Sequence, residues 1–79
     1  MTREKIYEDL TQIFHDVFDD EDIVLSDGLT ADDIDDWDSL EQINLLVAME
    51  KHFNVKFQLA QVSGLSNVGE MVDLIEQLV

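Results

Sequence analysis

The chain contains no cysteine and no proline, only two histidines, and four basic residues among 79. Without cysteine there is no disulfide, no thiolate metal ligand and no cysteine nucleophile. His15 and His52 cannot build an all-histidine zinc site by themselves. No apolar run approaches the ~20 residues of a membrane-spanning helix, so no membrane insertion is expected. The few bases face nineteen acids, for a formal net charge of −15. Nucleic acid and anionic membrane are polyanions that such a surface repels. Basic proteins or cations are the partners it favours. The opening Met1-Thr2-Arg3-Glu4-Lys5 is charged, not an apolar leader. A cytoplasmic monomer is the expectation.

What is present points to a globular fold. Hydrophobic residues make up 46% of the chain, too many for a solvated tail. The length allows one domain, residues 1–79. A chain this short buries roughly 60% of its unfolded surface, so its stability is marginal. The charge is unevenly spread. Residues 1–41 carry fifteen acids and two bases; residues 42–79 carry four and two. Ten acids fall within residues 19–38. That density reads either as a solvated loop or as a docking surface for basic partners.

Periodicity predicts helices and no strands. From Thr2 to Phe18, the residues Ile6, Leu10, Ile13, Phe14 and Val17 share one helical face. Thr2 is the expected N-cap, and the helix should end near Asp19-Asp20. Residues 19–37 lose the period and contain the turn signal Asp27-Gly28. They read as a long acidic loop pinned by Ile23, Val24, Leu25, Leu29, Ile34 and Trp37. A second helix begins at Asp38-Ser39 and runs to about Phe53. Leu40, Ile43, Leu46, Val47 and Phe53 form its stripe, widened by Leu45, Ala48 and Met49. Such a helix is either buried or exposes an apolar strip to a partner. Asn54 supplies its left-handed stop. Phe57 to Val62 is a short helix or an extended link. The last helix begins at Ser66 or Asn67 and runs to Val79, with Val68, Met71, Val72, Ile75 and Leu78 inward. Asn67 and Glu70 fit a capping box. Gly69 in its first turn marks close packing against another helix or a weak spot. The expected fold is all-α: a small four-helix bundle, three main helices plus one short, with the acidic loop between the first and second.

The chemistry centres on Asp36-Trp37-Asp38-Ser39-Leu40-Glu41. Either Asp38 is the N-cap, with Glu41 closing the box and the Ser39 hydroxyl free, or Ser39 is itself the cap with Gln42. A helix N-terminus stabilises an anion through its unpaired N–H groups and its dipole. Ser39 is therefore a sound place for a phosphate-linked group. It is a poor catalytic serine, because no histidine lies near it in sequence. A calcium loop does not fit either. With Gly28 as its sixth position, Ile23 and Leu25 would fall where carboxylates are needed. No specific metal site is expected.

The chain resembles the acyl carrier proteins. The resemblance covers nearly all residues and rests on Asp38-Ser39-Leu40, followed by Glu41-Gln42-Ile43-Asn44-Leu45-Leu46-Val47-Ala48-Met49-Glu50 and Phe53. It implies that Ser39 accepts 4′-phosphopantetheine from coenzyme A, delivered by a phosphopantetheinyl transferase. The arm would supply the thiol that the chain lacks. The implied role is transport of acyl thioesters, not catalysis. An acyl-loading ligase or acyltransferase would charge the arm. A ketosynthase or another acyl-processing enzyme with a basic docking patch would receive the cargo. The docking residues implied are Asp35, Asp36, Asp38, Leu40, Glu41, Ile43 and Glu50. An acyl-chain cavity would be lined by Leu45, Leu46, Met49, Phe57, Leu65 and Met71. Asn44, Lys51 and His52 thin the acidity of the second helix, and Trp37 precedes the motif. These departures suggest a specialised pathway, such as polyketide, lipid-modification or cell-surface polymer assembly, over ordinary fatty-acid synthesis. Two other roles fit the residues: a discrete aminoacyl carrier, and an acidic interaction module with no prosthetic group.

Overall fold

A computed structural model describes the chain from Met1 to Val79. Its elements are α1 (Arg3–Phe18), a 3-10 turn (Ala31–Asp33), α2 (Ser39–Phe53), α3 (Leu59–Val62) and α4 (Val68–Leu78). There are four α-helices and no strands, as expected.

α1 is the spine. Thr2 caps it, its Oγ1 accepting the Lys5 N–H at 3.1 Å. The helix stops where Asp19 turns left-handed, at φ 51°. Ile6, Leu10, Ile13, Phe14 and Phe18 are buried. Phe18 takes the place expected of Val17, which is only half-buried. α1 packs against both α2 and α4.

α2 departs from the expected stripe. Leu45, Met49 and Phe53 face the core at four-residue spacing. Leu40, Ile43 and Val47 face outward, at 64%, 59% and 43% exposure. A helix with apolar side chains on both faces has no period that selects the inner one. The exposed-strip reading therefore holds for this helix. Asn54 ends it left-handed at φ 56°.

The acidic segment is less irregular than expected. Thr30 and Asp33 close a box around the 3-10 turn, the Thr30 N–H donating to Asp33 Oδ2 at 2.9 Å. Ile23, Leu25, Leu29 and Ile34 pack against the core, and Trp37 is buried within it. Val24 does not join them; it is 80% exposed. A ring nitrogen of His15 lies 2.9 Å from the Ile23 carbonyl and ties the segment to α1.

The middle of the segment is joined to α4. The N–H of Val68 donates to Leu29 O and that of Gly69 to Asp27 O, each at 2.9 Å. A Cβ on Gly69 would sit 3.0 Å from both the Asp27 Cβ and its carbonyl oxygen. Gly69 does mark close packing, but against the acidic segment and not a helix. Arg3 reinforces the join by pairing with Asp73 at 2.7 Å, Asp27 at 3.1 Å and Glu76. Those carboxylates, Asp73 first, hold the guanidinium further above its ordinary pKa. Tyr7 also donates its hydroxyl to Asp27.

α4 runs to Leu78, with Leu74 buried alongside the expected face and Leu78 only half-buried. Its capping box is offset. Asn67 Oδ1 accepts the Glu70 N–H at 2.9 Å, but the Glu70 carboxylate accepts from Ser66, at 2.6 Å.

Candidate functional site

α2 begins where the acidic segment meets the core. Trp37 anchors that junction. Its ring sits edge-on to Phe14 at 5.3 Å and tilted to Phe18 at 6.0 Å. Its indole N–H donates to Gln42 Oε1 at 2.6 Å. The next residue, Asp38, is therefore held at the surface. Its Oδ1 accepts the Glu41 N–H at 2.9 Å, which makes Asp38 the N-cap. Glu41 does not close the box. Its carboxylate accepts from Asn44 Nδ2 at 3.0 Å.

Ser39 is then the first residue of the helix. Its side chain is exposed, and its hydroxyl makes no hydrogen bond to the protein. The N–H groups of Ser39 and Leu40 also have no acceptor, because Asp38 serves only Glu41 and Gln42. Three donors are thus grouped at the positive end of a 15-residue helix. No histidine or second nucleophile stands with them, so the arrangement can hold an anion but cannot activate its own hydroxyl.

A groove of about 610 Å³ opens beside Ser39. Trp37, Ile43, Leu65 and Met71 give it an apolar side; Asp38, Gln42, Ser66 and Asn67 give it a polar one. A flexible arm carrying both amides and methylenes suits such a mixed wall. Among the residues expected to shelter an acyl chain, Leu65 and Met71 line this groove. Leu45 and Met49 are fully buried in the core, and Leu46 and Phe57 pack against it. Trp37 and Gln42 were missed as walls of the groove. The signal available in the sequence was a large aromatic directly before the motif.

The residues expected for docking are brought to one side only in part. Asp35, Asp36, Asp38, Leu40 and Ile43 are exposed around the start of α2. Glu50 also makes a structural contact. Its Oε2 accepts the Phe57 N–H at 2.9 Å and fastens the link after α2. Nothing in the sequence marked that contact, which reaches from a side chain to a backbone seven residues on. No group of three His, Cys, Asp or Glu is arranged to hold a metal ion. No helix is long and apolar enough to cross a membrane.

Comparison with known proteins agrees with this geometry. Residues 8–75 match the family model described as a phosphopantetheine attachment site. The holo acyl carrier protein from Geobacter metallireducens, solved by solution NMR, has a similar structure. It is 46% identical, with a TM-score of 0.86, over 90% of this chain and 82% of that one. No curated protein matches the chain. A phosphopantetheine prosthetic group and a role in carrying rather than catalysing go with that match. With the fold, the motif and the matched span in agreement, the chain belongs to the acyl carrier protein family.

Proposed function

We propose that Ser39 is the attachment point of the 4′-phosphopantetheine arm, in a domain spanning residues 1–79. The observation that carries this reading is the unengaged Ser39 hydroxyl at the head of α2, next to two unpaired backbone N–H groups. Asp38 takes the capping role, so the serine is not needed for it. The transferase must bring the base. The Ser39 oxygen attacks the phosphorus of the coenzyme A pyrophosphate that bears pantetheine. A new P–O bond forms, the anhydride bond breaks, adenosine 3′,5′-diphosphate leaves, and the serine proton goes to the transferase. The product is a phosphodiester whose charge faces the Ser39 and Leu40 amides. Asp38 opposes it, but from an exposed position where solvent screens the repulsion.

Once attached, the arm supplies a thiol to a chain with no cysteine. Acyl cargo is then carried as a thioester between a loading ligase or acyltransferase and an acyl-processing enzyme such as a ketosynthase. Trp37, Asn44 and Lys51 support a discrete carrier of a specialised pathway over the housekeeping role. The test is intact mass after incubation with coenzyme A and a broad-specificity phosphopantetheinyl transferase, run beside Ser39→Ala. Gain of one phosphopantetheine by the natural chain alone is expected. No gain by a folded sample, or an equal gain by Ser39→Ala, overturns the assignment.

A further inference from the structure

The basic residues of this chain divide into two kinds. Arg3 meets three carboxylates, and Lys5 lies 3.0 Å from Asp9 and 3.9 Å from Glu8. Lys51 and Lys56 are exposed, and neither has a carboxylate within ion-pair distance. On a chain with nineteen acids, two cations outside any ion pair call for a reason. The helix dipole favours Lys51, in the last turn of α2. It does not account for Lys56, which lies three residues beyond the end of that helix.

Both lysines line one groove of about 370 Å³, with Val47 and Val55 as its apolar part. Glu50 also borders it and keeps its charge, its Oε2 accepting the Phe57 N–H, so the groove carries two positive charges against one negative, with neither lysine in an ion pair. Val47 connects this groove to the rest of the helix surface. Leu40, Ile43, Val47 and Lys51 follow one another at spacings of three, four and four, so they form a single stripe. Its first three members are exposed apolar side chains. The stripe is acidic where it starts, at Asp35, Asp36 and Asp38, and basic where it ends. About 16 Å of helix separates Leu40 from Lys51.

We infer that the lysine end of this face receives a partner-enzyme surface presenting a carboxylate beside an apolar side chain, so that the strip docks with two signs and not one. A uniformly basic surface would match the start of the strip and be repelled at its end. A uniformly acidic one would be repelled by nearly everything else on this chain. A surface carrying both signs in the opposite order satisfies the strip and fixes which way round the enzyme sits. The inference goes beyond the carrier reading and needs no prosthetic group, so it can fail while Ser39 stands.

The test uses the unmodified full chain, labelled with nitrogen-15, and two blocked synthetic peptides. One joins a lysine-leucine half to a glutamate-leucine half; the other is lysine-leucine throughout. The two-signed peptide should move the amide signals of Asp35, Asp36 and Leu40 together with those of Val47, Lys51, Val55 and Lys56. The all-basic peptide should move only those of Asp35, Asp36 and Leu40. The double variant Lys51→Gln/Lys56→Gln should weaken the two-signed peptide about tenfold and should not weaken the all-basic one. Lys51→Arg/Lys56→Arg should restore it. Absence of shifts at the lysine end with the two-signed peptide, shifts elsewhere, or indifference to the double variant overturns the inference. Concentration-dependent shifts of the same amides without peptide would assign the lysine end to the acidic segment of a second copy, and would also overturn it.

Discussion

Two helices of this protein begin in opposite ways. At the start of α4 every early N–H has an acceptor. Val68 and Gly69 donate to the carbonyls of Leu29 and Asp27, Glu70 to the Asn67 side chain, and Met71 to the Asn67 carbonyl. At the start of α2 only Glu41 and Gln42 are served, both by Asp38, and the amides of Ser39 and Leu40 have no acceptor. The acidic segment explains the difference. Its middle lends backbone oxygens to α4, and its end presents carboxylates around Ser39. A closed helix start holds the fold together. An open one, at the surface, leaves donors for an anion that the chain does not itself contain.

The comparison can be broken most severely at the closed end. Gly69→Val forces a Cβ to within 3.0 Å of the Asp27 carbonyl oxygen, an atom of the backbone. The expected loss is about 2 kcal/mol, measured by urea unfolding. The melting temperature should fall by ~10 °C. The caps come next. Asn67→Ala and Asp38→Ala should each cost about 1 kcal/mol in the same assay. Arg3→Gln should lower stability by less than either cap, since its carboxylate partners are exposed, and the gap should narrow in high salt.

Acid should act away from both helix starts. Lys5, then His52, hydrogen-bond Asp9 and hold its carboxyl below its ordinary pKa, despite the opposing effect of burial. A folded-state pKa below the unfolded one means stabilisation that is complete above the unfolded value. It is lost as pH falls through the folded value, below about pH 4. Asp9→Asn should therefore flatten the low-pH end of the melting-temperature profile. The smallest change in stability is expected at the open end. Ser39→Ala removes a hydroxyl with no protein partner and should shift stability by less than about 0.5 kcal/mol.

The closed end was hard to read in the sequence, and the open end easier. α1 was legible because Ile6, Leu10, Ile13 and Phe14 repeat at helical spacing behind a threonine cap. Asp38-Ser39-Leu40 was legible as a helix start, with the choice of cap left to the geometry. The contacts of Leu29 and Asp27 with α4 run through backbone oxygens, and backbone atoms leave no residue signature. Only Gly69 hinted at them, by lacking a side chain where one would collide. The inward face of α2 stayed open in the sequence for another reason. Leu40, Ile43 and Val47 are as apolar as the residues that are buried, so composition could not distinguish a partner face from a core face. Nor did Glu50 give any hint of its contact with the Phe57 amide, which pairs a side chain with a backbone seven residues on.

The most direct test of the open helix start is a pair of amide spectra, before and after transfer of phosphopantetheine to the nitrogen-15-labelled chain. The Ser39 and Leu40 amides should show the largest shifts, as their unpaired N–H groups meet the new phosphodiester, while Val68 and Gly69 stay in place. If a prosthetic group is gained while Ser39 and Leu40 stay unmoved, or if the largest shifts fall at the start of α4, the two helix starts do not divide the work in this way.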